Sequence, residues 1–482
     1  MEIFLAIMAG TLYGLIVGIV PSAGATTGLV AMFGFIGWFT AFDPYLGVIF
    51  VMAVVASSTT GDSFSGVLLG IPGANSAAAT MVDGFPLALQ GRATEALTAA
   101  IVCSTFNGLL WGTLTFALLP WYSNLIMIFG IPELWAFVML ALATVGFVSS
   151  KYWVRSLIAI AIGCFIGLIG MNPETAADRY TFGWDYLADS VQIMPFVAGL
   201  FAVPEIVKGL LGSKTVATIQ TTQKGQTWKG IKAVWEHKWD GLRGGFIGAF
   251  IGFLPGLGGA MSDWMAYGAT TAANQNEKIP FGKGNIKGVI GPEGSNNAQK
   301  ATSMIPTVLF GIPGASFAAI VMALFMYLDF ELGTPDLVYD TKFFDSLFIG
   351  FMGATIAVCV ICLVFIRWIA LITYVPYWIF GPLLLAFVTW ACVQYTGGWE
   401  DYAIFILCSI LGLSAKYLKF SRPAMLMGFI LADRIESLSL QMFILYDIPK
   451  LLDRPIFLSL CVAVIGMFIY GVFFNKSRLN YS

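Results

Sequence analysis

Gly70-Ile71-Pro72-Gly73-Ala74 interrupts one apolar run, and it recurs as Gly311-Ile312-Pro313-Gly314-Ala315 in another. The likeness extends to Leu68 with Leu309, and to Ala77-Ala78 with Ala318-Ala319. Proline lacks an amide hydrogen and cannot continue a helix cleanly, while glycine gains least from helical order. Each copy is therefore expected to end one half-helix and begin another at membrane depth. Backbone that leaves helical form inside a bilayer must face protein or a water-filled cavity. Such a cavity near the midplane, lined by freed amides and carbonyls, is where a transporter holds its cargo. Kinks that only improve packing are the simpler reading of a single copy; two copies in matching surroundings favour a site.

The chain around these stretches is strongly apolar. Of 482 residues, 58% are hydrophobic and 11% charged, with a mean hydropathy of +0.83. A soluble domain of this size does not bury so much apolar surface with so few charges, so an all-α polytopic membrane protein is expected. Forty Phe, 14 Trp and 53 Gly suit helices that pack closely in lipid with aromatics at the interfaces. The formal net charge of -2 gives no case for nucleic acid. Seven Cys are scattered through apolar segments and form no disulfide framework. Cys359 and Cys362 share a helix face, but no His or carboxylate stands beside them, and no metal site is expected. The sole histidine, His237, lies in a polar loop, which leaves no histidine relay within the membrane.

In chain order, Ile3 to Val20 reads as a retained first span, since no basic n-region or cleavage site accompanies it. Pro21-Ser22-Ala23-Gly24 breaks it, and apolar runs follow from Gly28 to Phe42 and from Leu46 to Ala56. The polar cluster Ser57-Ser58-Thr59-Thr60-Gly61-Asp62-Ser63 comes next, directly before the first Gly-Ile-Pro-Gly. A polar return, Asp83 to Glu95, leads to spans at Ala96–Leu119, Leu134–Ser149, Val154–Gly170 and Val191–Leu211. The segment from Lys208 to Arg243 carries seven basic residues against Glu236 and Asp240, and by the positive-inside bias it is cytoplasmic. It divides the chain into a first half, 1–211, a basic connecting loop, 212–242, and a second half, 243–482.

The second half replays the first. Gly248, Gly252, Pro255 and Gly258 match Gly14, Gly18, Pro21 and Gly24. The polar cluster Gly291-Pro292-Glu293-Gly294-Ser295-Asn296-Asn297 precedes Pro306 and the second Gly-Ile-Pro-Gly. Pro382 with Ala386-Phe387-Val388 then matches Pro132 with Ala136-Phe137-Val138. With spans at Leu347–Ile372, Trp378–Tyr395, Tyr402–Leu413, Met425–Ala432 and Ile456–Phe474, the total is about eleven or twelve membrane elements. The halves can be parallel or inverted, with inversion the expectation. Lysines on both flanks of Pro255 to Gly258 favour a re-entrant hairpin tip there over a single crossing.

Two features can hold an anion without a buried cationic side chain. A half-helix starting after Gly73 or Gly314 points its free amides and positive dipole end into the break. Asn75, Ser76 and Ser316 sit beside it, and Ser22, Gly24, Gly256 and Gly258 supply the second pair of breaks. Ser295, Asn296 and Asn297 complete the expected substrate side. Ser58, Thr59, Asp62 and Glu293 form the expected ion-coupling side, with sodium as one possible ion and no other cofactor. The alternative for Asp62 is a helix cap at a wet loop end. Asp263, after the second Pro-Gly-Leu-Gly, is a weaker candidate of the same kind. Arg155, Arg367 and Lys416 read as snorkelling helix-end anchors. No catalytic residue is expected: the chain has no P-loop, no Gly-x-Ser-x-Gly, and only half of an intramembrane aspartyl protease signature at Tyr339-Asp340.

The paired Gly-x-x-x-Gly-x-x-Pro-x-x-Gly, the two Gly-Ile-Pro-Gly segments and Pro292-Glu293-Gly294-Ser295-Asn296-Asn297-Ala298 resemble the large membrane subunit of the tripartite tricarboxylate transporter family. The resemblance covers nearly the whole chain, including Arg179-Tyr180-Thr181-Phe182-Gly183 and Val203-Pro204-Glu205-Ile206. It implies secondary uptake of a citrate-like di- or tricarboxylate across a bacterial inner membrane, by symport with protons or sodium. It also implies two partners, a small four-helix membrane subunit and a periplasmic solute-binding protein. The chain departs from the family pattern at Pro21-Ser22, where Pro-Gly is usual, and at Thr60-Gly61-Asp62-Ser63, where Tyr-Gly-Gly-Ser is usual. It also has Gly294-Ser295 where the family commonly has Ala-Ala. Added hydroxyls and a carboxylate bear on the substrate and the ion, not on the fold. A membrane enzyme or assembly subunit acting on a lipid-linked substrate, and a passive channel, are the other classes compatible with the composition.

Overall fold

A computed structural model of the chain describes residues 1–20, 24–70, 77–126, 129–148, 152–172, 177–212, 226–255, 258–334, 337, 339–372, 377–396 and 398–473. The fold is all-α and polytopic. The first half runs α1 (Glu2–Ile19), α2 (Gly24–Phe42), α3 (Pro44–Leu69), α4 (Ala78–Leu89), α5 (Ala93–Ile126), α6 (Ile131–Ala143), α7 (Trp153–Gly167), α8 (Ile193–Val197) and α9 (Val203–Gly212). The second runs α10 (Gln226–Glu236), α11 (Lys238–Phe253), α12 (Gly258–Ala273), α13 (Lys287–Phe310), α14 (Ser316–Tyr327), α15 (Thr341–Ile372), α16 (Tyr377–Thr396), α17 (Glu400–Tyr417), α18 (Arg422–Leu445), α19 (Ile448–Leu452) and α20 (Pro455–Phe473). A two-residue antiparallel pair, β1 (Gly170–Met171) with β2 (Asp178–Arg179), follows α7. Among the described residues, Glu2–Ile19, Pro44–Leu69, Ala93–Leu118 and Thr341–Ile366 are long and apolar enough to cross a membrane. Shorter apolar helices of 10–17 residues supplement them.

The two Gly-Ile-Pro-Gly stretches end helices, as their composition requires. Pro44 opens α3 behind Asp43, whose carboxylate accepts the Tyr45 amide at 2.9 Å, and Gly70 closes it with φ 64. Gly311 closes α13 with φ 63 and donates to the Thr307 carbonyl at 3.1 Å. Both glycines adopt a left-handed backbone that a side chain would strain. After the second break α14 restarts at Ser316; residues 71–76 of the first lie outside the described residues.

Glycine faces fix how the helices pair. Gly10, Gly14 and Gly18 of α1 lie against α3, where an added Cβ at Gly18 would stand 2.1 Å from the Ser58 carbonyl oxygen. Gly244, Gly248 and Gly252 of α11 lie the same way on α13, and an added Cβ at Gly248 would stand 2.2 Å from the Ser295 carbonyl oxygen. Small residues let backbones approach this closely in lipid, where packing rather than hydrophobicity drives association. Both pairs run parallel. Helix α2 folds back along α1, with the Tyr13 hydroxyl donating to the Gly28 carbonyl at 2.8 Å. Helix α12 folds back along α11, so that Asn274 at its far end donates to Asp240 at the start of α11 at 2.9 Å. Helices α11 and α12 therefore form a hairpin, with residues 256–257 at its turn outside the described residues.

One end of the bundle gathers the polar connections. Asp83 of α4 accepts three amides there, from Gly282 at 2.8 Å, Gly284 at 3.0 Å and Asn285 at 2.8 Å, and the Tyr267 hydroxyl at 2.9 Å. Gln226 donates to the Gly91 carbonyl at 2.6 Å. The opposite end holds the Tyr45 hydroxyl on the Asp340 carboxylate at 2.9 Å, which gives Tyr339-Asp340 a capping role.

Three expectations need correction. The Ser57–Ser63 cluster is not a loop after a short span, because α3 carries through it to Leu69. The polar return from Asp83 to Glu95 is helical up to Leu89 and again from Ala93. The connector 212–242 is not wholly solvated: α10 buries Gln226, Gly230 and Ala233 against α5, leaving Trp228, Trp235 and Trp239 outward among lysines. Exposed indoles among lysines over α10 and the start of α11 are the pattern that interfacial helices carry.

Candidate functional site

The polar clusters of α3 and α13 face each other inside the bundle. Ser63 donates to the Glu293 carboxylate at 2.7 Å, while Lys300 reaches the Val55 carbonyl at 3.0 Å and the Ser58 hydroxyl at 3.2 Å. Residue numbers rise along α3 as they fall along α13, so these two helices cross antiparallel. Ser57, Ser58, Thr59, Thr60, Asp62, Ser63, Glu293, Ser295, Asn296, Asn297, Gln299 and Lys300 are all buried. A patch of this polarity at membrane depth is costly unless its groups find partners or ligands.

The partners are unevenly distributed. The Asp263 carboxylate of α12 accepts the hydroxyls of Ser295 and Ser262, while its other oxygen makes no hydrogen bond. Both oxygens of Asp62 are buried and make none. Neither the oxygen nor the nitrogen of the Asn297 amide makes one either. On α5, beside Asn297, Asn107 keeps an unpartnered oxygen and Ser104 an unpartnered hydroxyl. Orphaned buried groups of this kind are rare in folded proteins and mark places where a ligand or water binds.

Lys300 corrects the expectation of an anion site without a buried cation. Its ammonium sits on α13, two turns beyond Glu293, with the Phe317 ring of α14 at 5.6 Å. Glu293 and Lys300 are seven residues apart, a spacing that puts both on one helix face. That spacing points to a shared face only once the helix is known to continue past Lys300 to Phe310. Asp62 and Asp263 are the carboxylates that act on Lys300 through space, yet it belongs to none of the ion pairs among the described residues.

Of the expected substrate residues, Ser295, Asn296 and Asn297 belong to this cluster. So do Ser58, Thr59, Asp62 and Glu293 from the ion-coupling set. Asp62 does not cap a helix at a wet loop end, since it lies inside α3 and is fully buried. Gly24 and Gly258 start α2 and α12 as hairpin-tip residues, and Gly258 has φ 73 with open space where a Cβ would stand. The Gly314 amide is not free for an anion: it donates to the Thr307 hydroxyl at 3.1 Å. Ser316 opens α14 next to Phe317. Ser22, Gly73, Asn75, Ser76 and Gly256 lie outside the described residues. Lys416 does not snorkel freely, because it pairs with Glu205 at 3.1 Å, and Arg422 joins the same carboxylate at 2.5 Å. Arg155 is an exposed end residue on the Leu418 carbonyl at 2.8 Å, and the Arg367 side chain is outside the description.

Comparison with known proteins places the chain in a family. Over 442 residues the chain is 27% identical to a 52.8 kDa protein from the TAR-I ttuC' 3' region of Agrobacterium vitis, covering 90% of this chain and 84% of that relative. A protein from the TAR-II ttuC' 3' region of the same organism is 26% identical over 190 residues, 39% of this chain and 78% of that relative. The family model described as the tripartite tricarboxylate transporter TctA family matches residues 4–427. This match spans both hairpins, both polar clusters and both helix breaks, and the chain therefore belongs to the tripartite tricarboxylate transporter TctA family, whose members are membrane components of transporters.

Proposed function

We propose that the chain is the large membrane subunit of a secondary uptake system for a di- or tricarboxylate in a bacterial inner membrane. An ion gradient supplies the energy, a periplasmic solute-binding protein delivers the substrate, and a small four-helix subunit completes the assembly. The lysine-bearing end with α10 and the 274–286 loop is the cytoplasmic one in this reading. The observation that carries the proposal is the buried polar seam between α3 and α13, in a chain of this family. Its unpartnered Asn297 amide can serve a carboxylate, and Lys300 supplies the opposing charge that a polyanion needs at membrane depth. The antiparallel crossing of α3 and α13, with each hairpin on its own long helix, supports an inverted duplication of the two halves.

The test is uptake of radiolabelled citrate, malate and succinate by cells producing the chain with the products of its neighbouring genes. Uptake of one of them should appear and should collapse when ionophores dissipate the proton and sodium gradients. Accumulation that survives loss of both gradients would reject the secondary-transport reading in favour of another energy source, and a rate that follows concentration without accumulation would reject it in favour of a channel.

A further inference from the structure

The seam contains three buried carboxyl groups, Asp62, Glu293 and Asp263, against the single ammonium of Lys300. So many negative charges cannot persist together in a dry interior; protons or cations must balance them. Where a cation sits can be read from the oxygens available. The Val55 carbonyl and the Ser58 hydroxyl, side by side on α3, are the hard oxygen ligands that a sodium ion would use. Both are occupied by the Lys300 ammonium, at 3.0 and 3.2 Å, with the face of Phe317 closing a third side.

We propose that Lys300 is a tethered cation filling the cation position of this site, so that the ion carried with substrate is a proton held at Asp62, not sodium. This deepens the uptake reading above and rests on it. Lys300 is bonded to Val55 and Ser58 and not to Asp62, and neither Asp62 oxygen has a partner, the arrangement this proposal assigns to the proton-loaded state. Ser58 and Asp62 stand one turn apart on α3, roughly 6 Å between Cβ atoms, so rotation of the lysine side chain alone brings the ammonium to the carboxylate. When Asp62 ionises, Lys300 turns to it. When a substrate carboxylate enters, it takes Lys300 as its counter-charge, and Asp62, left without a cation, takes up a proton. Substrate and proton therefore bind together. The titratable groups that act on Asp62 are Lys300 and Glu293, both on α13, while Asp263 of α12 acts on Lys300 and Glu293. The charged residues of the other helices packed on α3 are held elsewhere, Asp83 by the 282–285 amides, Glu95 by Arg92, and Glu2, Lys342 and Asp345 at helix ends.

The experiment uses the purified full chain in detergent and sodium itself as the probe, with choline chloride as the ionic-strength control. The unfolding midpoint of the parent should be the same in both salts. Lys300→Gln should acquire a saturable stabilisation by sodium, because the vacated oxygens and carboxylates then need a free cation. Infrared spectra in deuterium oxide should show the stretch of a protonated carboxyl in the parent that is missing in Asp62→Asn. If Lys300→Gln does not fold, Lys300→Arg keeps a tethered cation and should stay indifferent to sodium, and the infrared band still decides. A parent that is saturably stabilised by sodium, with the effect abolished in Asp62→Asn, would overturn the proposal, as would an unchanged infrared band in that variant. These readouts need no substrate, so failure of the uptake assay leaves them intact and their failure leaves carboxylate uptake standing.

Discussion

At the scale of single residues, the seam separates groups already satisfied from groups waiting for something. Asn297 has no hydrogen bond to lose, so Asn297→Ala should leave the unfolding midpoint near the parent value. Lost contact with a charged substrate group is worth about 1.5–3 kcal/mol, so the half-saturating substrate concentration should rise by at least about tenfold. A lowered midpoint with unchanged half-saturation would make it a packing residue. Asp62→Asn should alter how uptake depends on pH, and a pH profile superimposable on the parent's would remove Asp62 from the coupling step. Asp62 and Glu293 were legible in the sequence because an ionisable side chain at membrane depth is expensive enough to need a reason. Lys300 was not, since a lone lysine beyond a polar motif reads as a helix end until the helix is known to continue to Phe310.

At the scale of elements, α1 on α3 and α11 on α13 are held by glycine contacts that leave no room for a side chain. Gly248→Leu should push α11 away from α13 and destabilise the fold by about 1–3 kcal/mol or more, seen as lost monodisperse protein on extraction. Gly268 on α12 faces open space, so Gly268→Ala should be neutral or slightly stabilising in the same assay. Equal loss in both variants would mean that helix propensity, not close approach, governs these positions. The Gly-Ile-Pro-Gly breaks and the Pro255–Gly258 turn were readable because proline and glycine act locally. The extent of α3 was not, because a run of Ser and Thr looks like a loop when nothing in the sequence reports that α1 and α13 surround it. Those hydroxyls bond back to their own helix, as Ser57 does to the Ala53 carbonyl at 2.8 Å, and so remain helical.

At the scale of the molecule, the seam lies between one long helix of each half, α3 and α13. If a binding protein delivers the substrate as proposed, the purified chain in vesicles with an imposed gradient should take up little until that protein is added. Robust uptake by the chain alone would contradict delivery by a partner. Fold class was open to sequence reading because it rests on composition, and the helix breaks because they are local. How α3 crosses α13 was not, since it depends on which ends meet, as Ser63 meets Glu293 while Ser58 meets Lys300.

The hydrogen bonds to Asp83 carry a mechanical consequence. Asp83 belongs by sequence to the first half, yet four donors from the second half's loop and α12 bind it, and Gln90 adds a bond to the Lys283 carbonyl at 2.9 Å. Helix α4 is thus tied by hydrogen bonds to the second half, while Gly84 also packs it on Val67 of α3. If the two halves rock against each other with α4 following the second, the chain crosses between them at Gly70, not at the long connector that divides the sequence. A flexible thiol cross-link between cysteines placed at Gln90 and Lys283 should accordingly form readily and leave uptake running, because it joins two parts of a single lever. Arrest of uptake by that link would move the fulcrum back to the connector.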